Sequence, residues 1–322
     1  MKLALNSHQV FDFFLNRMAL EFYSHPEVMI PVLRFWKEKG YEGITLYDSF
    51  PTFYEITDEQ FRLLKAALDE AGIVVACMNL MRKTLFDPAV AQQEEARMYH
   101  TLEVCGKILK AEIMDLTVDP QFPVQRGPQL YERVYYRADY APYEHFAVSA
   151  KILKKYARAC AGYGMQVSLE SKDDGLGDTA ENLIKLIKMI DEPNVGANPD
   201  VGNCFRAPYP NSLNIQQEIV KLVPYTNYLE IKNYRRIWLA SEHRFYTWVC
   251  DVDLGDIDFR DQMLRLWEYG FRGWVCNECG NGDPMGQGTW GDRWSTELCF
   301  WRWFREVVDE YIPLMTKVTI PK

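Results

Sequence analysis

Four acidic residues end four short apolar runs in the second half of the chain: Glu170 in QVSLES, Asp200 in VGANPDVG, Glu230 in NYLEIKNY and Glu278 in GWVCNECG. Thirty residues separate the first from the second and the second from the third, and 48 separate the third from the fourth. Thirty residues is about the length of one strand–helix–strand unit. Acids at that interval, each at a strand's C-terminal end, converge on one mouth of a parallel α/β barrel, where such folds carry their chemistry. Carboxylates brought that close cannot all stay ionised without a counter-charge. One divalent cation held by Glu170, Asp200, Glu230 and Glu278 would supply it, and oxygen-only ligands favour a hard ion, Mg2+ or Mn2+. Such an ion would take two oxygens of a hydroxyketone and stabilise an enediolate, while flanking carboxylates move protons on and off carbon.

The elements that must position these acids alternate along the whole chain. Strands are expected at 2–6, 42–48, 73–79, 111–118, 166–170, 195–200, 227–232 and 273–278. Helices are expected at 28–40, 57–72, 88–109, 146–164, 181–190, 215–223, 259–270 and 294–312. Thr57 or Asp58 caps the second helix, and Gly40 and Gly72 stop the first two. Eight alternations without a domain-scale linker predict one domain over 1–322, a (β/α)8 TIM barrel with extended βα loops and an extra C-terminal helix. A doubly wound open sheet is the alternative, but it needs a Gly-rich phosphate turn after a strand, and none is present.

Side-chain alternation aims the acids inward. In QVSLE, Val167 and Leu169 share one face while Ser168 and Glu170 share the other. In YLEIK, Leu229 and Ile231 oppose Tyr228, Glu230 and Lys232. The last strand fits less well, with Val275 and Asn277 on the face opposite Cys276 and Glu278.

Composition narrows the partners. A net charge of −9 argues against a nucleic-acid-binding face, which must be basic. No apolar run reaches the roughly 20 residues of a membrane span, and MKLALNSHQV is too short for a signal-peptide core. The eight cysteines are scattered and read as free thiols of a reducing compartment, which makes the cytoplasm the expected location. Cys276 and Cys279 form a C-x-x-C, but the second ligand pair of a structural zinc site is missing. Aromatic residues, 14% of the chain, serve either a large core or a ring-lined sugar or aryl site.

The runs SLES, NVGANPDVGN, EIKN, DVDLGDIDF and CNEC together resemble the xylose isomerase-like TIM barrel superfamily of sugar phosphate isomerases and epimerases. Its relatives include ketose 3-epimerases, inosose dehydratases and C-glycoside deglycosidases. The resemblance covers nearly the whole chain and is densest from Gln166 to Glu278. It implies that Asp200 ligates the metal, that Asn203 touches substrate, and that Glu170 and Glu278 bind metal and also serve as acid and base. The pattern usually carries a histidine ligand on the seventh strand, in a His-x-Lys-Asp run. Here Glu230 stands in that place, Lys232 keeps the lysine, and Asn233 replaces the aspartate. The endonuclease branch needs a histidine-rich zinc set that five histidines do not supply.

Other candidates come from position alone. His8 follows the first strand and would line the mouth. His145 ends the long 119–147 loop after the fourth strand, and histidine is a residue type suited to general base work near neutral pH. His243 and Arg235 lie in the 233–258 insertion with Arg236 and Arg244, a cluster able to grip a carboxylate or phosphate. Lys232, His8, Asn203, Arg235 and His243 are therefore the expected substrate contacts. The expected reaction is proton transfer next to the carbonyl of a keto-sugar, giving isomerisation or epimerisation. A lyase acting through the same enolate on a sugar or glycoside is the second reading, and a binding-only barrel the third. The broad apolar face of 294–312 would suit burial in a homo-oligomer or under a small partner subunit.

Overall fold

Parallel strands separated by amphipathic helices can bury both faces of their sheet only by closing it or covering it on both sides. The computed structural model takes the first course. It describes residues 1–7, 22–48, 52–80, 91–117, 143–173, 175–206, 214–278 and 293–315. His8, Cys279 and most of the loop after the fourth strand lie outside these residues.

Eight parallel strands form the barrel: β1 (Lys2–Asn6), β2 (Gly43–Tyr47), β3 (Val74–Leu80), β4 (Ile113–Leu116), β5 (Gln166–Glu170), β6 (Val195–Asn198), β7 (Tyr228–Ile231) and, last in the chain, β10 (Trp274–Asn277). Their order in the sheet is β6-β5-β4-β3-β2-β1-β10-β7. The remaining seam, between β6 and β7, closes through a single parallel bridge from Ala197 to Thr226, with Asn227 N–H donating to the Ala197 carbonyl at 3.2 Å. The 233–258 insertion is largely ordered as regular structure. It contains an antiparallel hairpin of β8 (Asn233–Leu239) and β9 (Arg244–Cys250). Its aromatic and β-branched residues suit a pleated ribbon.

The helices are α1 (Pro26–Glu38), α2 (Asp58–Ala71), α3 (Ala91–Glu103), α4 (Tyr143–Ala161), α5 (Ala180–Ile190), the short α6 (Val201–Phe205), α7 (Ile215–Leu222), α8 (Phe259–Tyr269) and α9 (Arg293–Arg305). Thr57 and Gln60 make a reciprocal capping box at the start of α2, and Gly72 stops it at φ 70°, in the left-handed region a glycine reaches without strain. Beyond α3 the chain continues through a π-helical turn, Val104–Leu109, within the span expected as one helix. The C-terminal helix α9 takes the eighth place in the helical ring. Phe300, Phe304 and Val308 along this last helical stretch are buried, and Arg305 reaches Glu42 just before β2 at 3.1 Å.

Alternation sorts the strand residues as the acids require. Leu5, Ile44, Met114, Leu169, Leu229 and Val275 face the helices in the main core. Ala4, Ala76, Cys77, Ile113, Tyr228, Trp274 and Cys276 pack inside the barrel as a separate apolar floor. The last strand thus obeys period two after all: Trp274 and Cys276 point in and Val275 points out. The Trp274 ring fills the barrel's lower end, with its indole N–H donating to Glu112 Oε2 at 2.7 Å and Lys2 Nζ lying 4.0 Å above the ring. That plug leaves no room at Gly43, where a Cβ would stand 2.7 Å from a Trp274 ring carbon. Gly43→Ala should therefore overpack the floor and lower the unfolding free energy by about 1–3 kcal/mol, measured by urea denaturation.

Candidate active site

Above this floor, five carboxylates meet rather than four. Oxygens of Asp115, Glu170 and Glu230 lie within 4.8 Å of one another, and so do oxygens of Asp200, Glu230 and Glu278. Glu230 belongs to both sets. Asp115 comes from the middle of β4, Glu170 from the end of β5, Asp200 from just beyond β6, Glu230 from β7 and Glu278 from just past β10. Strand register fixes their heights. Asp115 pairs with Asn79 of β3 and Ser168 of β5, Glu170 pairs with Asn198, and Glu230 pairs with Cys276. The Glu278 N–H donates to the Ile231 carbonyl at 2.8 Å, which carries the β7–β10 ladder one residue further and holds Glu278 over the mouth.

Neutral donors surround Glu230, which is fully buried. Tyr47 donates its phenolic proton to Glu230 Oε1, with Asn79 Nδ2 and Tyr228 OH farther off at 3.4 and 3.3 Å. Asn198 does more. Its Oδ1 accepts the Glu230 backbone N–H at 2.8 Å, and its Nδ2 donates to Glu230 Oε2 at 2.9 Å and to Asp115 Oδ2 at 3.1 Å. One side chain thus supplies a hydrogen bond across the seam between β6 and β7 and orients two carboxylates.

The charged partners are few. Lys232, buried at the end of β7, places its Nζ 2.8 Å from Asp200 Oδ2 and also bonds Glu278. Lys172 Nζ is 3.8 Å from Glu170 Oε1. Asn203, on α6, donates to Glu170, to Asp200 Oδ2 at 2.7 Å and to the Ser171 carbonyl at 3.1 Å.

Burial dominates the protonation of this cluster. It drives the Glu230 pKa well above the carboxylate range, and the charges of Glu278 and Asp115 push the same way. Asp115 is raised by burial and then by Glu170, against the hydrogen bond from Asn198. Asp200 is pushed up to about 7, because burial outweighs the pull of Lys232. Burial also opposes the Lys232 ammonium, but Asp200 and Glu278 outweigh it and hold its pKa well above the ordinary lysine value.

The donor set fits a hard divalent cation. It is all oxygen, its carboxylates outnumber the ammonium groups facing them, and Asp115 Oδ1 and Asp200 Oδ1 are buried without a hydrogen-bond partner among the described residues. Of the residues expected from sequence, Glu170, Asp200, Glu230, Glu278, Asn203 and Lys232 come together. His145 lies on the first turn of α4, buried, instead of at the end of a loop, and among the described residues no histidine joins the carboxylate sets. Exposed His243 sits in the hairpin turn, on the order of 20 Å along the ribbon from Asn233. The arginines do not form one gripping cluster. Arg235 Nε donates to the Leu254 carbonyl at 2.8 Å, and Arg236 stacks on Phe205 at 3.8 Å.

Sequence reasoning missed Asp115, Asn79, Asn198 and Tyr47. The signal was there for Asp115: in IMDL it alternates with Met114 and Leu116 as Glu170 does with Leu169. Asn233 also has a role that its type explains. Its Nδ2 donates to the Val252 and Ile257 carbonyls at 2.7 and 2.9 Å, and its Oδ1 accepts from Tyr234 and Ile257 N–H. An aspartate could not make the two donations, so Asn233 staples the base of the hairpin.

The chain belongs to the xylose isomerase-like TIM barrel family, whose model matches residues 33–302. No curated protein matches it in sequence. Among solved structures it is similar to a xylose isomerase-like TIM barrel protein from Mycobacterium smegmatis in complex with magnesium, with a TM-score of 0.68, 20% identity and coverage of 85% of this chain and 88% of that one. It is also similar to the 3-keto-D-glucoside 4-epimerase of E. coli, at TM-score 0.62 and 15% identity over 95% of this chain and 99% of that one. A D-psicose 3-epimerase determined with D-fructose gives TM-score 0.60 and 14% identity over 92% and 90%. At these identities the likeness is one of fold.

The raised pKa values have a signed consequence for the metal-free protein. An acid whose folded pKa lies above its unfolded value keeps its proton in the folded state while the unfolded chain releases it, so stability falls as pH rises between the two values. For Asp200 that window runs from 3.8 to about 7. Glu230 is raised in the same direction. Replacing Glu230 by Gln removes its share. Chelator-treated Glu230→Gln should melt higher than the parent at pH 7, with the difference shrinking toward pH 4, as read by thermal denaturation.

Proposed function

We propose that this protein is a divalent-metal-dependent enzyme that moves a proton at the carbon next to the carbonyl of a keto-sugar or polyol-derived ketone, with net isomerisation or epimerisation. The observation that carries the reading is the convergence of five carboxylates toward the C-terminal mouth of the barrel, with Lys232 the one ammonium that bridges two of them among the described residues. Mg2+ or Mn2+, when bound, would draw charge onto the carbonyl oxygen and lower the cost of an enediolate.

The chain's own residues divide the remaining work. Glu170 and Glu278 are the proton carriers, one taking the α-proton and the other returning it to the neighbouring position or the opposite face. Glu278 is suited to this because it is the most open of the five, with 15% of its side chain exposed. Asn203 holds Glu170 and Asp200 at fixed separation and offers an amide to a substrate hydroxyl that displaces one of those bonds. Lys232 supplies an ammonium beside Glu278 that steadies the negative charge of a deprotonated base. The apolar floor beneath keeps water from entering from below.

The similarity to a 3-keto-D-glucoside epimerase supports a second outcome of the same chemistry. In a 3-keto-glycoside the glycosidic bond lies β to the ketone, so the same enediolate can expel an aglycone and make the enzyme a lyase. The cysteines of the described residues are free, which suits a reducing location such as the cytoplasm. Among the described residues no helix is long and apolar enough to cross a membrane.

Keto-sugars and 3-keto-glycosides incubated in D2O with Mn2+-loaded protein should take up deuterium at the α-carbon, detected by NMR, and chelator should stop it. Absence of exchange across both substrate classes, with metal bound, would refute the proposal. Release of free aglycone would select the lyase outcome.

A further inference from the structure

Exposure alternates along both strands of the β8–β9 hairpin. Arg235 and Ile237 on β8, and Tyr246 and Trp248 on β9, are exposed, while Arg236 and Thr247 between them are partly covered. The covered face rests on α6. Arg236 donates to the Phe205 carbonyl and stacks on its ring at 3.8 Å, and Thr247 Oγ1 donates to the Arg206 carbonyl at 3.2 Å. The other face is open. Its Ile237, Tyr246 and Trp248 are 48%, 45% and 39% exposed, and Leu254, whose carbonyl accepts from Arg235 Nε, is 51% exposed beside them. Single exposed apolar residues are ordinary on a protein surface, but a contiguous patch marks an interaction site. Among the described residues, both tryptophans with a large exposed surface, Trp238 and Trp248, lie on this hairpin.

Two features of the open face select its occupant. The first is area. With Leu254 the face offers on the order of 400 Å2 of apolar surface. A standard protein interface takes about 800 Å2 from each partner, a little over half of it apolar, so this patch with its polar rim is the size of one whole interface. The second is self-complementarity. Ile237 pairs with Tyr246 at the centre of the face; Arg235 and Trp248 pair about 7 Å toward the hairpin base, and Leu239 lies the same distance toward the tip. The Glu242 N–H donates to the Leu239 carbonyl at 3.2 Å, which sets exposed Glu242 in the turn just past Leu239. A two-fold axis through the centre lays a second hairpin antiparallel on the first. Ile237 and Tyr246 then meet their own copies, Trp248 meets the second copy's Leu239, and the base cation Arg235 meets the tip acid Glu242. A two-fold interface requires this reciprocity of apolar surface and charge.

We propose that the open face of the β8–β9 hairpin is the interface of a two-fold symmetric homodimer, with Ile237 and Tyr246 on the axis. The hairpin is then clamped between the second copy and α6, the helix that carries Asn203, and it begins at Asn233, directly after Lys232. The proposal does not rest on the catalytic reading.

The test is sedimentation velocity of the full chain from about 1 to 100 μM. The parent should sediment with the mass of two chains. Ile237→Glu should raise the dimer dissociation constant roughly 100-fold or more, because it buries like charges at the axis. Ile237 is exposed in the single chain, so this variant should melt within a few degrees of the parent. Arg235→Glu and Glu242→Arg should each weaken the dimer alone, and an equimolar mixture of the two should associate more tightly than either, since both cross-axis pairs in the mixed dimer are again of opposite sign. An effect confined within one chain would not respond to mixing. A monomer at every concentration, a dimer that survives Ile237→Glu, or no gain on mixing would each overturn the proposal. So would a dimer dissociated by Tyr311→Glu, near the C-terminal end of the chain, but not by Ile237→Glu.

Discussion

Like charges in a low-dielectric space repel strongly, and this protein gathers five of them at one end of its barrel. The arrangement around them answers that repulsion. Lys232 pairs with Asp200 and Glu278, and burial raises the pKa values of Asp115 and Glu230, which favours their neutral forms. Neutral donors hold the remaining oxygens. None of these devices removes the repulsion; each holds the carboxylates together at a cost that a bound cation relieves. A site built this way is an affinity for cations expressed as strain between side chains, and it needs a frame stiff enough to resist.

The frame is stiffest below the site. Trp274, Tyr228 and the small residues around them fill the barrel's lower end, and Tyr228 spans the two layers, its hydroxyl 2.7 Å from Thr45 Oγ1 and 3.3 Å from Glu230. It is weakest between β6 and β7, where the ladder shrinks to one bridge. Asn198 repairs that weakness with the same side chain that positions Glu230 and Asp115. Closure of the barrel and alignment of the carboxylates are therefore one event: a chain that closes the seam has also set the geometry of its site.

How far this was legible in the sequence follows from which physical rule each residue obeys. The barrel was legible because period-two strands and capped amphipathic helices alternate eight times, and Glu170, Asp200, Glu230 and Glu278 stood out as charges ending apolar runs. Asp115 followed the same alternation but was enclosed by Ile113, Met114 and Leu116 and followed by Thr117 and Val118, so no break in hydrophobicity marked it. Asn198 was hidden for a different reason. Its importance arises at a seam between β6 and β7, and the number of ladder bonds across a seam is a property of closure that local pattern does not encode. His145 misled because the helix begins three residues earlier than its apolar spacing suggests, which turns a loop end into a buried helical turn. The hairpin was read as charge when its density of Trp, Tyr, Phe, Ile and Val was the stronger signal.

Glu230 and Asn233, the two departures from the pattern the chain resembles, act together. A histidine at position 230 would bring a neutral ligand; the glutamate brings another acidic group into a fully buried position. That substitution raises the demand for positive charge in the cluster, and Lys232, the lysine the pattern keeps, meets part of it by pairing with Asp200 and Glu278. Asn233 then fixes the chain immediately after the lysine by binding both ends of the hairpin insertion with four hydrogen bonds. An ammonium on a flexible stem bridges two carboxylates well only if its backbone is held, because otherwise the rotamer freedom lost in bridging offsets the gain. The hairpin's anchor is thus also the anchor of the Lys232 ammonium. In the run E-I-K-N the extra acid adds charge, the lysine pairs with two neighbouring carboxylates, and the asparagine holds the backbone that carries the lysine.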